Sequence, residues 1–383
     1  MRARVAVGAL LLQPAFGLVM AWGAVVPHAL QEGWSPLLVG AVFSATPFGY
    51  GLGTILGGRL GDRLPPRRLC WGSLGLLAAG FLVTFAWPSG ATFVACYGFV
   101  ALGVGGGIAL AGGVAALGQA FPARRGSAAG AATATYAASA VVQAPIVSAV
   151  VPIVGWTHAL TVVGGAVALL ATAALVAMPA LPAPDARHAG PAPSVGALVR
   201  RRLVWTAFLA VFAASTFGTA AAVNVGAAAA ARGLGAAIAT TAVVLVAAGN
   251  ATQRLVAGWA SDHLGVDRLL AAMLALELTG AVLLFVGGSP LSFLAGALAG
   301  GLALGGAGLV GRLASEGAPD APSSAFGLVF AGYTLAALSG PLLAAVAGLP
   351  AGWLVVGLPA VGGAAVLAVR GRLRPATGPN ASD

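Results

Sequence analysis

Long apolar runs, separated by short polar breaks, dominate this chain of 383 residues. An α-helix needs about 20 apolar residues to cross the hydrocarbon core of a bilayer. Only 7% of the residues are charged, against roughly 25% in a soluble domain, so a soluble fold could not cover its surface with polar groups. We therefore predict an all-α membrane protein of twelve transmembrane helices, at 5–29, 36–57, 69–87, 91–120, 127–149, 155–178, 204–228, 236–258, 269–287, 290–311, 324–347 and 351–369.

The longest polar break divides these runs six and six. Its prolines and its lack of periodicity are typical of a flexible linker. The first apolar run is too long for a signal-peptide core and is read as a retained helix. The predicted organisation is an N-terminal six-helix bundle over 1–178, a cytoplasmic linker over 179–203, a C-terminal six-helix bundle over 204–369 and a cytoplasmic tail over 370–383.

The basic residues predict the orientation of the chain. All 19 are arginine, and 17 of them fall on the inner side if both termini are cytoplasmic. The exceptions are Arg232, on the outer side, and Arg254, inside a span. This bias follows the positive-inside rule, so we expect a multi-pass protein of the cell membrane. Charges spread over short loops give no basis for nucleic-acid binding.

The two halves of the chain repeat each other. The stretch GRLGDRL at 58–64 matches GWASDHL at 258–264, which places Asp62 and Asp262 200 residues apart. Ser127 and Tyr136 match Ser324 and Tyr333 at an offset of 197 residues. Duplicated halves place a substrate site near the midplane between them, so we predict two pseudo-symmetric six-helix bundles.

The loop after the second span combines glycines with opposite charges. Asp62 and Arg63 end that span, and Arg67 and Arg68 begin the next. The carboxylate can pair with an arginine or with the N-terminus of a neighbouring helix, and either contact could hold one conformation closed. A solvated loop that obeys only the topology rule is the alternative. Our predicted gating set is Asp62, Arg63, Arg67, Arg68 and Asp262.

This loop resembles the signature of the major facilitator superfamily between its second and third helices, with a weaker repeat between the eighth and ninth. The resemblance covers the whole chain and implies a secondary transporter with the major facilitator fold. Two departures concern the details of gating. Pro65 and Pro66 replace the usual glycine region of the first copy, and His263 replaces the usual basic residue of the second.

Arg254 lies about four residues before the inner end of the eighth span. An arginine within a span costs roughly 2.5–3.5 kcal/mol on insertion scales and should face protein or water. Its guanidinium can bind a carboxylate through two parallel hydrogen bonds. The alternative is that the side chain extends to the cytoplasmic interface.

The stretch from Asn250 to Asp262 is similar to that of the oxalate–formate antiporter and monocarboxylate transporter families. The residue corresponding to Arg254 contacts the substrate carboxylate in those families, and Tyr136 matches a pocket tyrosine of the first. The position that corresponds to Asn250 holds Asn in the first family and an acidic residue in the second. Because Asn cannot take up a proton, we expect antiport or facilitated movement.

The departures from the oxalate carrier concern its pocket. Its second cationic ligand, a lysine, corresponds here to Tyr333. Its other pocket aromatics correspond to Leu110, Leu304, Gly308 and Phe330. The resemblance therefore implies a wider, less aromatic cavity with one cation, which suits a monocarboxylate better than a dicarboxylate.

Several other polar or aromatic residues lie within or beside the spans. Tyr50 is 200 residues before Asn250, at the matching depth of the repeat, and Trp22 lies in the first span. Both are candidate substrate contacts, with ordinary packing as the alternative. Glu277 lies mid-span and is a functional candidate by default, although a structural role is equally open. Asp267 and Glu316 are interpreted as loop charges.

The leading function hypothesis is a transporter of small organic anions, in particular monocarboxylates. The alternatives are an efflux pump for hydrophobic compounds and, less favoured, a transporter-like sensor. The predicted substrate-binding set is Arg254, Asn250, Tyr136, Tyr333, Tyr50 and Trp22. We expect no enzymatic activity, no cofactor and no metal, and a monomer whose partners are its substrate and the bilayer.

Overall fold

The computed structural model describes residues 1–182, 193–304, 306–348 and 350–373, and the regular structure within these ranges is helical. The helices of the first half are α1 (Arg2–Phe16), α2 (Val26–Gln31), α3 (Pro36–Gly61), α4 (Pro66–Ala86), α5 (Gly90–Thr92), α6 (Gly106–Ala120), α7 (Arg125–Val154) and α8 (Trp156–Ala177). A 3₁₀ segment, Gly17–Ala24, extends α1, and a π-helical segment, Phe93–Gly105, joins α5 to α6.

The second half repeats this arrangement. Its helices are α9 (Val195–Val199), α10 (Arg202–Ala213), α11 (Thr216–Ala231), α12 (Gly235–Leu264), α13 (Val266–Val286), α14 (Pro290–Ala303), α15 (Gly306–Gly317), α16 (Pro322–Val346) and α17 (Ala351–Leu373). The pair α10–α11 forms one interrupted span, and α14 and α15 belong to one span, Pro290–Gly317. The predicted twelve-helix membrane fold with two six-helix halves is confirmed.

Eleven spans of the described chain are long and apolar enough, by composition, to cross a membrane. The eighth span, α12, carries Asn250, Gln253 and Arg254 in its second half. A polar stretch of this kind within a span is tolerated where it faces protein or a water-filled cavity.

Matching caps begin the fourth and tenth spans. The Ser89 hydroxyl accepts the N–H of Thr92 and the Thr92 hydroxyl accepts the N–H of Ser89; Ser289 and Ser292 exchange the same two bonds. Such a capping box satisfies two N–H groups that the first helical turn leaves free. The two caps are 200 residues apart, so the offset of the aspartate loops also holds at the other end of these helices.

The seventh span is interrupted between Ala213 and Thr216, and Glu277 of α13 stabilises the break. Its side chain is fully buried, and its two carboxylate oxygens accept the N–H groups of Phe217 at 2.7 Å and Gly218 at 3.1 Å. These are free donors of the first turn of α11, where negative charge is favoured. The contact gives Glu277 a structural role as the cap of α11.

The two halves cross closely in two places, where α3 packs on α16 and α7 packs on α12. Glycine is required at the second crossing. A Cβ added to Gly258 would lie 2.6 Å from the carbonyl oxygen of Gly126 and 2.9 Å from the Cα of Gly130. Both crossings reach the end of the bundle that carries Asp62, Asp262 and the start of α10, which we call the arginine-rich end.

The second bundle extends further along the sequence than predicted. Arg370, predicted as the first residue of the tail, lies within α17, which continues to Leu373. Arg370 is fully buried and donates to the Asp267 carboxylate at 2.9 Å, the Glu316 carboxylate at 2.9 Å and the Leu203 carbonyl at 3.1 Å. The interpretation of Asp267 and Glu316 as loop charges is therefore wrong, because they lie on α13 and α15 and bind this arginine.

The predicted linker is partly helical. Its C-terminal part contains α9, whose first turn is capped by the Ser194 hydroxyl through the N–H of Ala197. Arg201 then forms an ion pair with Asp320 in the turn before α16. Residues 183–192 of the linker and 374–383 of the tail lie outside the described residues.

Candidate functional site

Asp62 joins the two halves at the arginine-rich end. One carboxylate oxygen accepts the N–H of Ser323 at 3.2 Å, and the other accepts the N–H of Ser324 at 3.0 Å and the Ser324 hydroxyl. Ser323 and Ser324 lie in the first turn of α16, where N–H groups have no partner within the helix. Partial burial raises the pKa of Asp62, while the bonds from Ser324 and Ser323 act in the opposite direction.

Asp262 makes the same contact in the other direction. Its two oxygens accept the N–H of Gly126 at 3.0 Å, the N–H of Ser127 at 3.0 Å and the Ser127 hydroxyl at 2.7 Å. These donors open α7, which belongs to the first half. Asp62 with α16 and Asp262 with α7 therefore form two equivalent connections, which we call the carboxylate clamps. In this conformation they hold the halves together at the arginine-rich end.

The arginines of the predicted gating set have other surroundings. Arg63 and Arg68 are exposed. Arg67 donates to the carbonyl oxygen of Val176 at 3.3 Å, on α8 of its own half. The sequence left the Asp62 carboxylate two partners, an arginine or a helix N-terminus. The structure shows the second, the N-terminus of α16. The roles of Ser127 and Ser324 were missed, although each follows an arginine- or proline-containing turn and matches the other in the repeat.

Arg254 is buried, with 4% of its surface exposed, and does not extend to the interface. Its Nε donates to the Asn250 side-chain oxygen at 2.7 Å, and its Nη2 donates to the Tyr333 hydroxyl at 2.9 Å. Nη1 lies 3.5 Å from the carbonyl oxygen of Thr133. The guanidinium also lies 5.4 Å from the centre of the Tyr333 ring, within the range of a cation–π contact.

Aromatic rings from both halves surround this arginine. Tyr50 on α3 lies 5.4 Å from Tyr136 on α7 and 5.5 Å from Phe330 on α16, and Phe330 lies 5.3 Å from Tyr333, measured between ring centres. The structure thus brings together five of the six predicted binding residues. With Phe330 and Thr133 they form the Arg254 cluster: Arg254, Asn250, Thr133, Tyr333, Tyr50, Tyr136 and Phe330.

The charge of the cluster is not neutralised by an acid within the described chain. The three recorded partners of Arg254 are an amide oxygen, a phenol and a peptide carbonyl, all uncharged. The recorded ion pairs involve Arg201, Arg312 and Arg370 instead. A buried charge is normally paired because desolvation is expensive. An arginine carries five N–H donors, so donors remain for an anion.

Trp22, the sixth predicted binding residue, belongs to a different group. Its indole N–H donates to the carbonyl of Val39 at 3.2 Å, and its ring packs 6.0–6.3 Å from Phe93, Tyr97 and Trp156. These contacts lie inside the first half and match the packing alternative.

The residues that correspond to the other pocket aromatics of the oxalate carrier are packed in this conformation. Leu110, Leu304 and Phe330 are buried. A Cβ on Gly308 would lie 3.0 Å from the Arg254 carbonyl oxygen. The missing side chain at position 308 thus lets α15 approach α12.

Comparison with known proteins supports the fold. A family model described as Major Facilitator Superfamily matches residues 9–225. Among solved structures, the chain is similar to "a Major Facilitator Superfamily (MFS) transporter, FucP, in the outward conformation", with a TM-score of 0.71 and 18% identity over 97% of this chain and 99% of that one. At that identity the likeness shows the fold alone. No curated protein matches the sequence.

Proposed function

The chain belongs to the Major Facilitator Superfamily of transporters, and we propose that it carries small organic anions, in particular monocarboxylates, by alternating access. In this proposal Arg254 is the ligand of the substrate carboxylate. It lies between the two halves, where a duplicated transporter fold binds its substrate.

The observation that supports this proposal is the uncompensated charge of Arg254. The side chain is buried among uncharged partners, and desolvating a guanidinium without a counter-charge is costly. An anion that enters the cluster supplies that counter-charge and forms charge-assisted hydrogen bonds. A substrate with one carboxylate would balance the one guanidinium.

The neighbours of Arg254 have complementary roles in the proposal. Asn250 and Tyr333 hold the guanidinium plane through Nε and Nη2. Tyr50 and Tyr136, on the facing helices of the first half, present hydroxyls to the far side of a bound substrate. Because Asn250 cannot exchange a proton, exchange of anions or facilitated movement is favoured over proton symport.

The conformation supports a cycle in which the arginine-rich end opens and closes. Both clamps are formed here, and transport to that side requires their release. We propose that this end faces the cytoplasm of a cell whose membrane holds the protein as a monomer, so the present state is closed to the cytoplasm. A cysteine at Ser194 should then react with a membrane-impermeant maleimide in inverted vesicles; labelling in intact cells would overturn the orientation.

Arg254→Gln tests the function. A charge-assisted hydrogen bond contributes roughly 1.5–3 kcal/mol, so binding of a monocarboxylate such as lactate or formate should weaken by about one to two orders of magnitude. Arg254→Lys should restore part of the affinity, because an ammonium cannot form the bidentate contact. The measurement is a screen of small carboxylates by ligand-induced thermal shift, followed by uptake into proteoliposomes.

Arg268→Gln is the matched control, since it removes an exposed arginine of the same half. It should leave carboxylate binding unchanged. If Arg254→Gln binds the carboxylate as tightly as the wild type, the organic-anion proposal fails. The aromatic rings around Arg254 then favour the second candidate, an efflux pump for hydrophobic compounds, which should still move a hydrophobic dye in the Arg254→Gln variant.

A further inference from the structure

A cavity separate from the Arg254 cluster lies at the arginine-rich end of the first half. It has a volume of about 380 Å³ between the start of α4 and the chain that follows α8. Its lining residues are Pro65, Arg67, Arg68, Trp71, Ala180 and Leu181. Four of the six belong to the first half and two to the start of the linker, so the cavity does not depend on the contact between the halves.

One of the arginines that line the cavity has a donor with no partner. Arg67 binds the Val176 carbonyl through Nη2, but its Nε is buried and has no hydrogen-bond partner among the described residues. Arg68 beside it is exposed, and no ion pair recorded for the described chain involves either arginine. A buried unpaired guanidinium N–H is costly, and two adjacent positive charges add an unfavourable repulsion. An anion in the cavity would remove both costs.

In the second half, the charge at the position that corresponds to Arg67 is balanced within the protein. The positions 200 residues after Arg67 and Trp71 hold Asp267 and Ala271. Asp267 accepts a hydrogen bond from the buried Arg370 at 2.9 Å, so the charge there is balanced within the protein. In the first half an arginine replaces the acid and a tryptophan replaces the alanine, which creates a basic site with an aromatic wall.

The position of the cavity relative to the bilayer suggests the source of the anion. Arg67 and Arg68 lie in the first turn of the third span and Trp71 one turn further, at the level where tryptophan is enriched at membrane interfaces. Exposed apolar side chains continue from there along α8, at Val176, Leu170 and Leu169. A ligand with a phosphate group and acyl chains would match the charged cavity and the apolar surface together.

We propose that the cavity lined by Arg67, Arg68 and Trp71 binds the phosphodiester headgroup of an anionic membrane phospholipid. Both guanidinium groups contact the phosphate, the Arg67 Nε–H acquires its missing acceptor, and the acyl chains lie against α8. This site is independent of the proposed substrate site. Basic pockets between spans at a cytoplasmic surface are suited to such headgroups.

The test is native mass spectrometry of the purified full-length protein with phosphatidylglycerol and phosphatidylcholine of identical acyl chains. The wild type should prefer phosphatidylglycerol. Each guanidinium that contacts the phosphate should change lipid binding about fivefold, so Arg67→Gln with Arg68→Gln should weaken phosphatidylglycerol binding by about tenfold or more. The matched control is Arg268→Gln with Arg372→Gln, two exposed arginines of the second half, which should bind within about twofold of the wild type.

Three results would overturn the proposal: an unchanged preference in the Arg67/Arg68 double variant, an equal loss in the Arg268/Arg372 variant, or displacement of the lipid by micromolar inorganic phosphate. The last result would identify a site for free phosphate. If the double variant does not fold, Arg68→Gln alone removes an exposed side chain and should still weaken phosphatidylglycerol binding by about threefold or more.

Discussion

Residues 54 and 254 occupy corresponding positions in the two halves, but their chemistry differs. Thr54 is buried and donates its hydroxyl to the carbonyl of Gly51, within its own helix, at 2.8 Å. Arg254 donates to the Tyr333 hydroxyl within its own half and reaches across the interface towards the Thr133 carbonyl oxygen. One turn earlier, Tyr50 corresponds to Asn250. At this depth both halves supply rings and hydroxyls, and the second half also supplies the charge.

The ends of the same helices are alike. Asp62 and Asp262 each bind two N–H groups and a serine hydroxyl at the start of a helix in the opposite half. The two halves have thus kept the same residues at the clamps, which close the arginine-rich end, and have diverged around Arg254. A symmetric pair of clamps can close one end evenly, whereas a small substrate with one charged group needs different ligands on its two sides.

A second divergence concerns the interrupted spans. Glu277 caps α11 of the seventh span, and the residue 200 positions earlier is the fully buried Leu77. The first span instead changes from α to 3₁₀ geometry at Gly17 without a carboxylate cap from that position. The break in the seventh span therefore depends on one buried carboxyl group, and that in the first does not.

The largest expected effect comes from exchanging these two residues. Glu277→Leu removes the acceptor of the Phe217 and Gly218 N–H groups and should lower the free energy of unfolding by about 2–4 kcal/mol. Leu77→Glu should be at least as destabilising, because it buries a carboxylate where leucine now packs. Thermal unfolding in detergent micelles measures both changes. The stability of Glu277→Gln, which retains one acceptor, should lie between those of the wild type and Glu277→Leu. If Glu277→Leu is as stable as the wild type, the assignment of Glu277 as the cap of α11 is wrong.

The clamps should give intermediate and equal effects. Asp62→Asn and Asp262→Asn each turn an acceptor into an amide that faces N–H donors, so each should shift the equilibrium towards the state open at the arginine-rich end by about 1.5–3 kcal/mol. Alkylation of a cysteine at the buried Ala129 should then become about 10–100 times faster. Arg63→Gln, beside the clamp and exposed, is the control. A response from one aspartate alone would show that the two clamps are not equivalent.

The smallest effect concerns the ion pair between Arg201 and Asp320, on the second half. The Arg201 guanidinium holds the pKa of Asp320 below its usual range. A depressed pKa in the folded state means that the pair stabilises the protein above the ordinary aspartate pKa of about 3.9 and that this stability is lost as the pH falls through the depressed value. The side chains are 34% and 52% exposed, so the pair contributes at most about 1 kcal/mol.

Arg201→Gln should therefore lower the melting temperature by a few degrees or less at pH 7 and have no effect near pH 2. Melting curves in detergent across that pH range measure the difference. A larger loss at acidic than at neutral pH would contradict the assignment and would indicate that Arg201 stabilises the fold through packing.

The regular features of this protein were predictable from sequence because the bilayer imposes them. A helix needs about 20 apolar residues to cross it. A helix also satisfies the hydrogen bonds of its own backbone N–H and C=O groups, for which the hydrocarbon core offers no water. The predicted spans agree with the observed helices, and the offset of 200 residues identified both aspartates. Arg254 was predicted for a related reason, since a charged residue within a span needs a protein or water environment, whereas Asn250 was predicted from the resemblance to the oxalate–formate and monocarboxylate families.

Contacts between distant parts of the chain depended on the tertiary structure. The sequence left the Asp62 partner open between an arginine and a helix terminus, and packing of α3 against α16 decided it. The sequence predicted Arg370 as a tail residue, but in the structure it lies on α17 and donates to Asp267 and Glu316. Glu277 became a cap because the seventh span breaks beside it. Hydropathy and spacing predict which residues lie within the membrane-spanning helices, whereas the partner of a buried polar group depends on which helices pack against it.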